Sequence, residues 1–244
     1  MKYLIIADIH SNLEAFQAVL DDVRLNHGGF DRVWCLGDVV GYGPDPSACI
    51  KLLRELKHIC VCGNHDLAAV GKLDIEDFNS NAAMANLWTA EQLSEDEKEF
   101  LRILPESVVE DEFTIVHGSP RMPVWEYITS AFSAAANFKH FKTRYCLVGH
   151  THVPCYFKQD EILVEEGYLE EGETLELGET RLIINPGGVG QPRDRDPRAS
   201  YAVYDSEKKM ISHYRISYDI GVTQEKMEEL GLPRFLSSRL GWGV

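Results

Sequence analysis

A short apolar run followed at once by polar side chains able to bind metal ions recurs five times in this chain. In the first instance, IIADIHSN, the apolar residues 3–7 lead directly into Asp8 and His10. A continuous apolar run of this length is typical of a strand that is buried on both faces. The pattern therefore predicts an α/β protein in which polar groups follow the carboxyl ends of several strands.

Helical segments separate the first three predicted strands, which lie at 3–7, 33–36 and 59–62. Residues Ser11 to Glu14 have the spacing of a capping box, with Ser11 as the N-cap of the first helix. Asp45 stands before a proline and is expected to cap the second helix. This βαβαβ order predicts a parallel sheet with right-handed crossovers.

The pattern changes in the second part of the chain. Residues 75–105 show helical periodicity, and we interpret them as two inserted helices that would cap the active site. Strands at 113–116 and 145–148 resume the sheet. Turn-separated β-type runs then predict antiparallel strands at 153–157, 162–164, 174–177, 182–184, 201–204 and 210–216. We expect a single domain over residues 1–244.

Charge and cysteine content limit the partners and the compartment. The formal charge of −15 argues against extended nucleic acid or an anionic membrane as a partner, because both are polyanions. The six cysteines include no CxxC pair, so a zinc-thiolate site is not expected. The N-terminus has no basic region, cleavage site or membrane-length apolar run, which predicts a reduced, cytoplasmic protein. Oligomeric state is left open.

The polar groups after the five strands are expected to meet at one sheet edge, where ligands of open α/β sheets bind. Asp8 and His10 are two residues apart and would point to one face of an extended strand. The candidate ligands are Asp8, His10, Asp38, Asn64, His117, His150 and His152. This mixture of carboxylates, amide and imidazoles suits Mn²⁺, Fe²⁺, Co²⁺, Ni²⁺ or Zn²⁺. Seven ligands fit two ions that share a carboxylate, an arrangement used for displacement at phosphorus.

The ordered motifs DIH, GD, GNHD, HG and GHTH resemble those of the calcineurin-like metallophosphoesterases. The later segment INPGGVGQPRDRDPR is similar to the C-terminal strand and loop of small bacterial and archaeal members. The resemblance implies a four-layer α-β-β-α sandwich, with two mixed β-sheets flanked by helices.

The resemblance also implies a role for each motif residue. One metal ion would be held by Asp8, His10 and His152. The other ion would be held by Asn64, His117 and His150. Asp38 would bridge both ions, a hydroxide between them would be the nucleophile, and His65 would protonate the leaving oxygen as general acid.

One departure from the family pattern bears on the substrate. The protein-phosphatase branch carries an Asp-Arg pair where this chain has Gly41 and Tyr42. The carboxylate that would orient His65 and the arginine that would grip a phosphomonoester are therefore missing. Arg121 and Arg193 are candidates to supply positive charge instead, and Tyr42 could stack on a base or an aromatic leaving group.

The sequence therefore predicts a dinuclear metal-dependent phosphoesterase that acts on small phosphodiesters or nucleotide-type phosphate esters. Two enzymatic alternatives are a protein Ser/Thr phosphatase and a dinucleoside polyphosphate hydrolase. An alternative of another class is a non-catalytic scaffold with the same fold. The retained ligand positions and His65 argue against the scaffold.

Overall fold

The computed structural model describes residues 1–160 and 163–244, and its strands form two six-stranded sheets. In chain order the strands are β1 (Lys2–Ile6), β2 (Arg32–Cys35), β3 (His58–Cys60), β4 (Ser107–Glu110), β5 (Phe113–Val116), β6 (Tyr145–Leu147), β7 (Pro154–Gln159), β8 (Val164–Tyr168), β9 (Thr174–Glu176), β10 (Arg181–Pro186), β11 (Ala199–Asp205) and β12 (Met210–Ile216). The helices are α1 (Leu13–Asn26), α2 (Pro46–Arg54), α3 (Asn64–Ala69), α4 (Ser80–Gln92), α5 (Glu95–Arg102), α6 (Ala131–Asn137), α7 (Ile220–Glu229) and α8 (Arg234–Leu240).

Both sheets are mixed. The first has the order β3-β2-β1-β11-β12-β9, in which β1, β2 and β3 are parallel and β11 runs antiparallel to β1. The second has the order β4-β5-β6-β10-β7-β8, with β5, β6 and β10 parallel. The parallel strands predicted from the first βαβαβ unit are confirmed. The expectation that all five strand ends meet at the edge of one sheet is wrong, because β11 pairs with β1 and the strands predicted at 113–116 and 145–148 lie in the second sheet.

Apolar side chains alternate between the two faces of β1. Ile5 packs in a cluster that includes Leu147 of the second sheet, so the sheets face each other across this layer. Leu4 lies in another cluster with Phe16 of α1. On the outer side of the second sheet, Phe138 closes a third cluster. The α-β-β-α fold class is confirmed.

Several local predictions differ from the structure. The N-cap of α1 is Asn12, whose Oδ1 accepts a hydrogen bond from the Ala15 amide at 3.1 Å, so the assignment of Ser11 is wrong. Ser11 has a φ of 54° because its amide is bound to the Val39 carbonyl of a neighbouring loop. Helix α6 and strand β4 were not predicted. The strand predicted at 162–164 begins outside the described residues.

The predicted insertion contains α4 and α5 and a short 3-10 turn at Ile75–Asp77. Ser94 forms the capping box of α5 with Glu97. The single-domain assignment and the capping role of the insertion stay predictions. Among the described helices, none is both long and apolar enough to cross a bilayer. All six cysteines are buried and free.

Candidate metal centre

The loops that carry the predicted ligands leave their strands in an unusual backbone conformation. Left-handed φ values occur at five of the candidate ligands: Asp8 (55°), His10 (49°), Asp38 (53°), His150 (66°) and His152 (59°). Each such residue costs on the order of 1–3 kcal/mol. The expectation that Asp8 and His10 project from an extended strand is therefore wrong, because β1 ends at Ile6. Hydrogen bonds from the Asp8 and His10 amides to the carbonyls of residues 37 and 38 offset the cost.

These loops bring the predicted ligands into two adjacent groups. In the first, His152 Nε2 lies 3.4 Å from Asp8 Oδ1 and 3.3 Å from His10 Nε2. The metal-competent atoms of these three residues lie within 4.8 Å of one another, as do those of Asp38, His117 and His150. The spacing of each group suits a metal ion.

The second group is equally compact and also includes Asn64. His117 Nε2 lies 3.1 Å from His150 Nδ1 and 3.2 Å from Asn64 Oδ1. Asp38 Oδ2 connects the groups, at 3.3 Å from His117 Nε2 and 3.6 Å from His10 Nε2.

One carboxylate oxygen tests whether these residues fit a metal ion. Asp38 is 1% exposed, yet its Oδ2 accepts no hydrogen bond from the described residues. The other oxygen, Oδ1, accepts a bond from the His65 amide at 2.9 Å. A buried carboxylate oxygen without a partner is costly unless a cation is present. The donor set therefore fits a metal ion at each of the two groups.

Backbone carbonyls fix the orientation of all four candidate histidine ligands. His10 Nδ1, His117 Nδ1 and His152 Nδ1 donate to the carbonyl oxygens of residues 40, 36 and 191, at 3.2, 2.8 and 2.6 Å. His150 uses its other nitrogen, Nε2, to donate to the carbonyl of residue 125 at 3.2 Å. In each ring the opposite nitrogen faces the cluster, and this is the nitrogen that has to be unprotonated for metal ligation.

Burial and mutual charge shift the pKa values of these groups. Burial lowers the pKa of His10, His150 and His152 well below the usual range, which keeps their free nitrogens unprotonated. Burial also acts to lower the pKa of His117, but the Asp38 carboxylate outweighs it and raises that pKa to about 9. Burial acts to raise the pKa of Asp38, but His117, His65 and His10 together outweigh it and hold that pKa well below its usual range.

His65 lies beside this cluster and is oriented by the helical insertion. Its Nδ1 is 3.0 Å from Oδ1 of Asn86 on α4. The carboxylate of the adjacent Asp66 accepts hydrogen bonds from the amides of residues 40 and 63. Burial raises the pKa of Asp66 to about 7. A Cβ on Gly41 would lie 2.5 Å from His65 Nδ1, so this position has no space for a side chain. Burial lowers the pKa of His65 to about 4.

The three predicted substrate residues differ in position. The Tyr42 ring centroid lies 4.3 Å from that of His65 and 4.6 Å from that of His10. Arg193 is held over Tyr42, with its guanidinium carbon 5.8 Å from the ring centroid. Arg121 forms an ion pair with Glu126 and is 44% exposed, so its role in substrate binding stays a prediction that these contacts do not support.

Two residues next to the site were missed. Asn86 lies on the buried stripe of α4 formed by residues 82, 85, 86 and 89. A polar residue on that stripe was a usable signal. Arg239 of α8 lies over Tyr42, 5.1 Å from the ring centroid, and no local motif marks it.

Comparison with known proteins agrees with this geometry. The family model of the calcineurin-like phosphoesterase superfamily domain matches residues 1–209. The chain belongs to this superfamily. An uncharacterized protein of Methanocaldococcus jannaschii is 37% identical, over 98% of this chain and 97% of the relative. A crystal structure of a metallophosphoesterase from Sphaerobacter thermophilus superposes with a TM-score of 0.91 at 47% identity, covering 100% of this chain and 99% of that one.

A shorter match concerns a named phosphatase. A symmetrical bis(5'-nucleosyl)-tetraphosphatase of Pseudomonas putida is 36% identical over 64 residues, which is 25% of this chain and 22% of the relative.

Proposed function

We propose that this phosphoesterase uses two divalent metal ions to hydrolyse small phosphodiesters or nucleotide-type phosphate esters. The observation that carries the proposal is the unpartnered oxygen of Asp38 between two groups of ligands. Family membership supports the reaction class. Its proposed substrate is a small phosphate ester. Its proposed location is the cytoplasm, with which the free cysteines are consistent.

Each ion has its own set of ligands in this proposal. The first set is Asp8, His10 and His152, the second is Asn64, His117 and His150, and Asp38 belongs to both. Mixed nitrogen and oxygen ligands suit Mn²⁺, Fe²⁺, Co²⁺, Ni²⁺ or Zn²⁺. When bound, two such ions neutralise the phosphate and lower the pKa of attacking water.

His65 supplies the proton for the leaving group. Its Nδ1 donates to Asn86 Oδ1, so Nε2 is the nitrogen that is left for the substrate. Because burial lowers the His65 pKa to about 4, an anionic substrate has to raise it for the ring to protonate. Protonated His65 then transfers its Nε2 proton to the leaving oxygen and returns to the neutral form.

The alternatives have unequal support. The Pseudomonas putida match favours a dinucleoside polyphosphate as a second candidate substrate. Gly41 and Tyr42 stand where a protein phosphatase has its Asp-Arg pair, which disfavours phosphoproteins. The compact ligand groups disfavour a non-catalytic scaffold.

Hydrolysis of bis-p-nitrophenyl phosphate and p-nitrophenyl phosphate, with each divalent ion added in turn, tests the proposal. We expect Mn²⁺ to support activity that favours the diester. Asp38→Asn serves as the inactive control. No hydrolysis of either ester with any ion would contradict the proposal.

A further inference from the structure

Two arginines lie side by side near the candidate metal centre and share a neutral acceptor. Arg193 follows β10, and Arg239 belongs to α8. The Oε1 atom of Gln191 accepts hydrogen bonds from both guanidinium groups. Arg193 Nη2 also lies 3.4 Å from the Tyr42 hydroxyl oxygen. In the described parts of the chain, neither arginine forms an ion pair with a carboxylate.

Carboxylates are not scarce nearby or in the chain as a whole. Arg198 pairs with Asp196, and Arg215 pairs with Asp194, both acids of the same loop. The chain has 39 acidic and 24 basic residues. An arginine pair without an acid is therefore a specific feature of this place in the fold.

The pair has unused hydrogen-bonding capacity. The Nε atoms of Arg193 and Arg239 are buried and have no partner among the described residues. Burial, with the charge of Arg193, lowers the pKa of Arg239 to about 10, so Arg239 remains charged at neutral pH. Two adjacent cations with unpaired donors are stabilised by an anion between them.

The pair has a fixed position relative to the metal ligands but does not touch them. The Gln191 backbone carbonyl accepts from His152 Nδ1 at 2.6 Å, while its side chain holds the arginines. The Tyr42 ring contacts both guanidinium groups and also packs against the His10 ring. The arginines are therefore one side chain away from the ligand cluster.

We propose that Arg193 and Arg239 form an anion-binding subsite for a non-scissile phosphate of the substrate. This inference rests on the proposed function. It assigns the substrate class as nucleotide-type esters with two or more linked phosphates, because the scissile phosphate lies at the metal ions and a neighbouring phosphate reaches the arginines.

Competitive inhibition of bis-p-nitrophenyl phosphate hydrolysis by pyrophosphate and orthophosphate tests the subsite, at a constant concentration of free Mn²⁺. We expect Arg239→Gln to raise the pyrophosphate inhibition constant about tenfold, since a hydrogen bond to a charged group contributes about 1.5–3 kcal/mol. The orthophosphate constant should rise about twofold or less, because orthophosphate occupies the scissile position. Arg193→Gln should act in the same direction. Arg234→Gln, exposed on the same helix, is the control and should leave both constants unchanged.

Equal increases for both inhibitors, or no increase for pyrophosphate, would overturn the subsite while leaving the phosphoesterase function intact. If the wild type hydrolyses neither ester, the proposed function fails, and calorimetry of pyrophosphate binding then tests the subsite alone. Weaker binding to Arg239→Gln than to the wild type and to Arg234→Gln supports it. Equal affinity, or no binding, overturns it.

Discussion

Two regions of the site are held in place differently. The metal-ligand shell consists of the seven candidate ligands, and the upper layer consists of Asn86 and Arg239. Shell residues follow strand ends, are at most 3% exposed, and have their imidazoles fixed by backbone carbonyls. The upper layer comes from helices outside the sheets and is held by side-chain contacts, namely Asn86 to His65 and Arg239 to Gln191. The two sheets thus position the metal ligands, while the insertion and the C-terminal helix position the groups proposed to set proton transfer and specificity.

The largest effect should come from the shell. Asp38→Asn removes the charge shared by both ligand groups. A loss of several kcal/mol of transition-state stabilisation predicts a fall in kcat/KM on the order of 10³-fold or more. Metal content should fall in parallel. Asp22→Asn is the control, because Asp22 is a buried carboxylate that bonds the Tyr201 hydroxyl away from the site. Near-normal activity of Asp38→Asn would contradict the expectation that activity depends more on the shell than on the upper layer.

His65 connects the two regions, because it lies beside the metal ligands and is hydrogen-bonded to Asn86 of the upper layer. His65→Ala should lower kcat about 10²-fold for esters with alkyl leaving groups, and less for p-nitrophenyl esters, which need no proton. Metal content should be unchanged. His58→Ala, which removes a remote imidazole, is the control. An equal loss for both kinds of leaving group would rule out the general-acid role.

Asn86 tests whether the insertion acts through His65. Asn86→Ala should lower kcat about tenfold, because a hydrogen-bonded partner that orients a functional side chain has an effect of about this size. The loss should again be greater for alkyl than for p-nitrophenyl esters. Asn86→Asp retains an acceptor and should restore most of the activity. Asn81→Ala, on the same helix, is the control, and a loss independent of the leaving group would show only a packing role.

The smallest effect should come from Arg121. Its exposed ion pair with Glu126 contributes little to stability, because solvent screens the two charges. Arg121→Ala should change kcat/KM less than about twofold. A larger loss of kcat/KM for every phosphate ester would show that Arg121 contributes to substrate binding.

Contiguous motifs made the shell predictable. Asp8, Asp38 and His117 each follow a strand that the apolar pattern identified. The neighbouring parallel strands β1 and β2 bring Asp8 and Asp38 together, whereas His117 follows β5 of the second sheet and reaches them because the two sheets face each other. Their left-handed backbone was not predictable, since it depends on hydrogen bonds between loops distant in sequence, such as the Asp8 amide to the Gly37 carbonyl.

The upper layer was harder to predict because it depends on how helices dock. Asn86 left a partial signal as a polar residue on a buried helical stripe. Arg239 left none, since its place over Tyr42 depends on the packing of α8 against α7 and the loops. Arg193 was predicted from its strand-end position, but its pairing with Arg239 was not.

Metal stoichiometry tests the central claim most directly, namely that Asp38 serves two ion sites at once. Mn²⁺ is added to metal-free protein, and bound metal is measured by calorimetry and by mass spectrometry after dialysis. The wild type should bind about two ions per chain, His152→Ala about one, and Asp38→Asn fewer than about one. A wild type that binds one ion or none, or an Asp38→Asn variant that keeps two, would contradict the account.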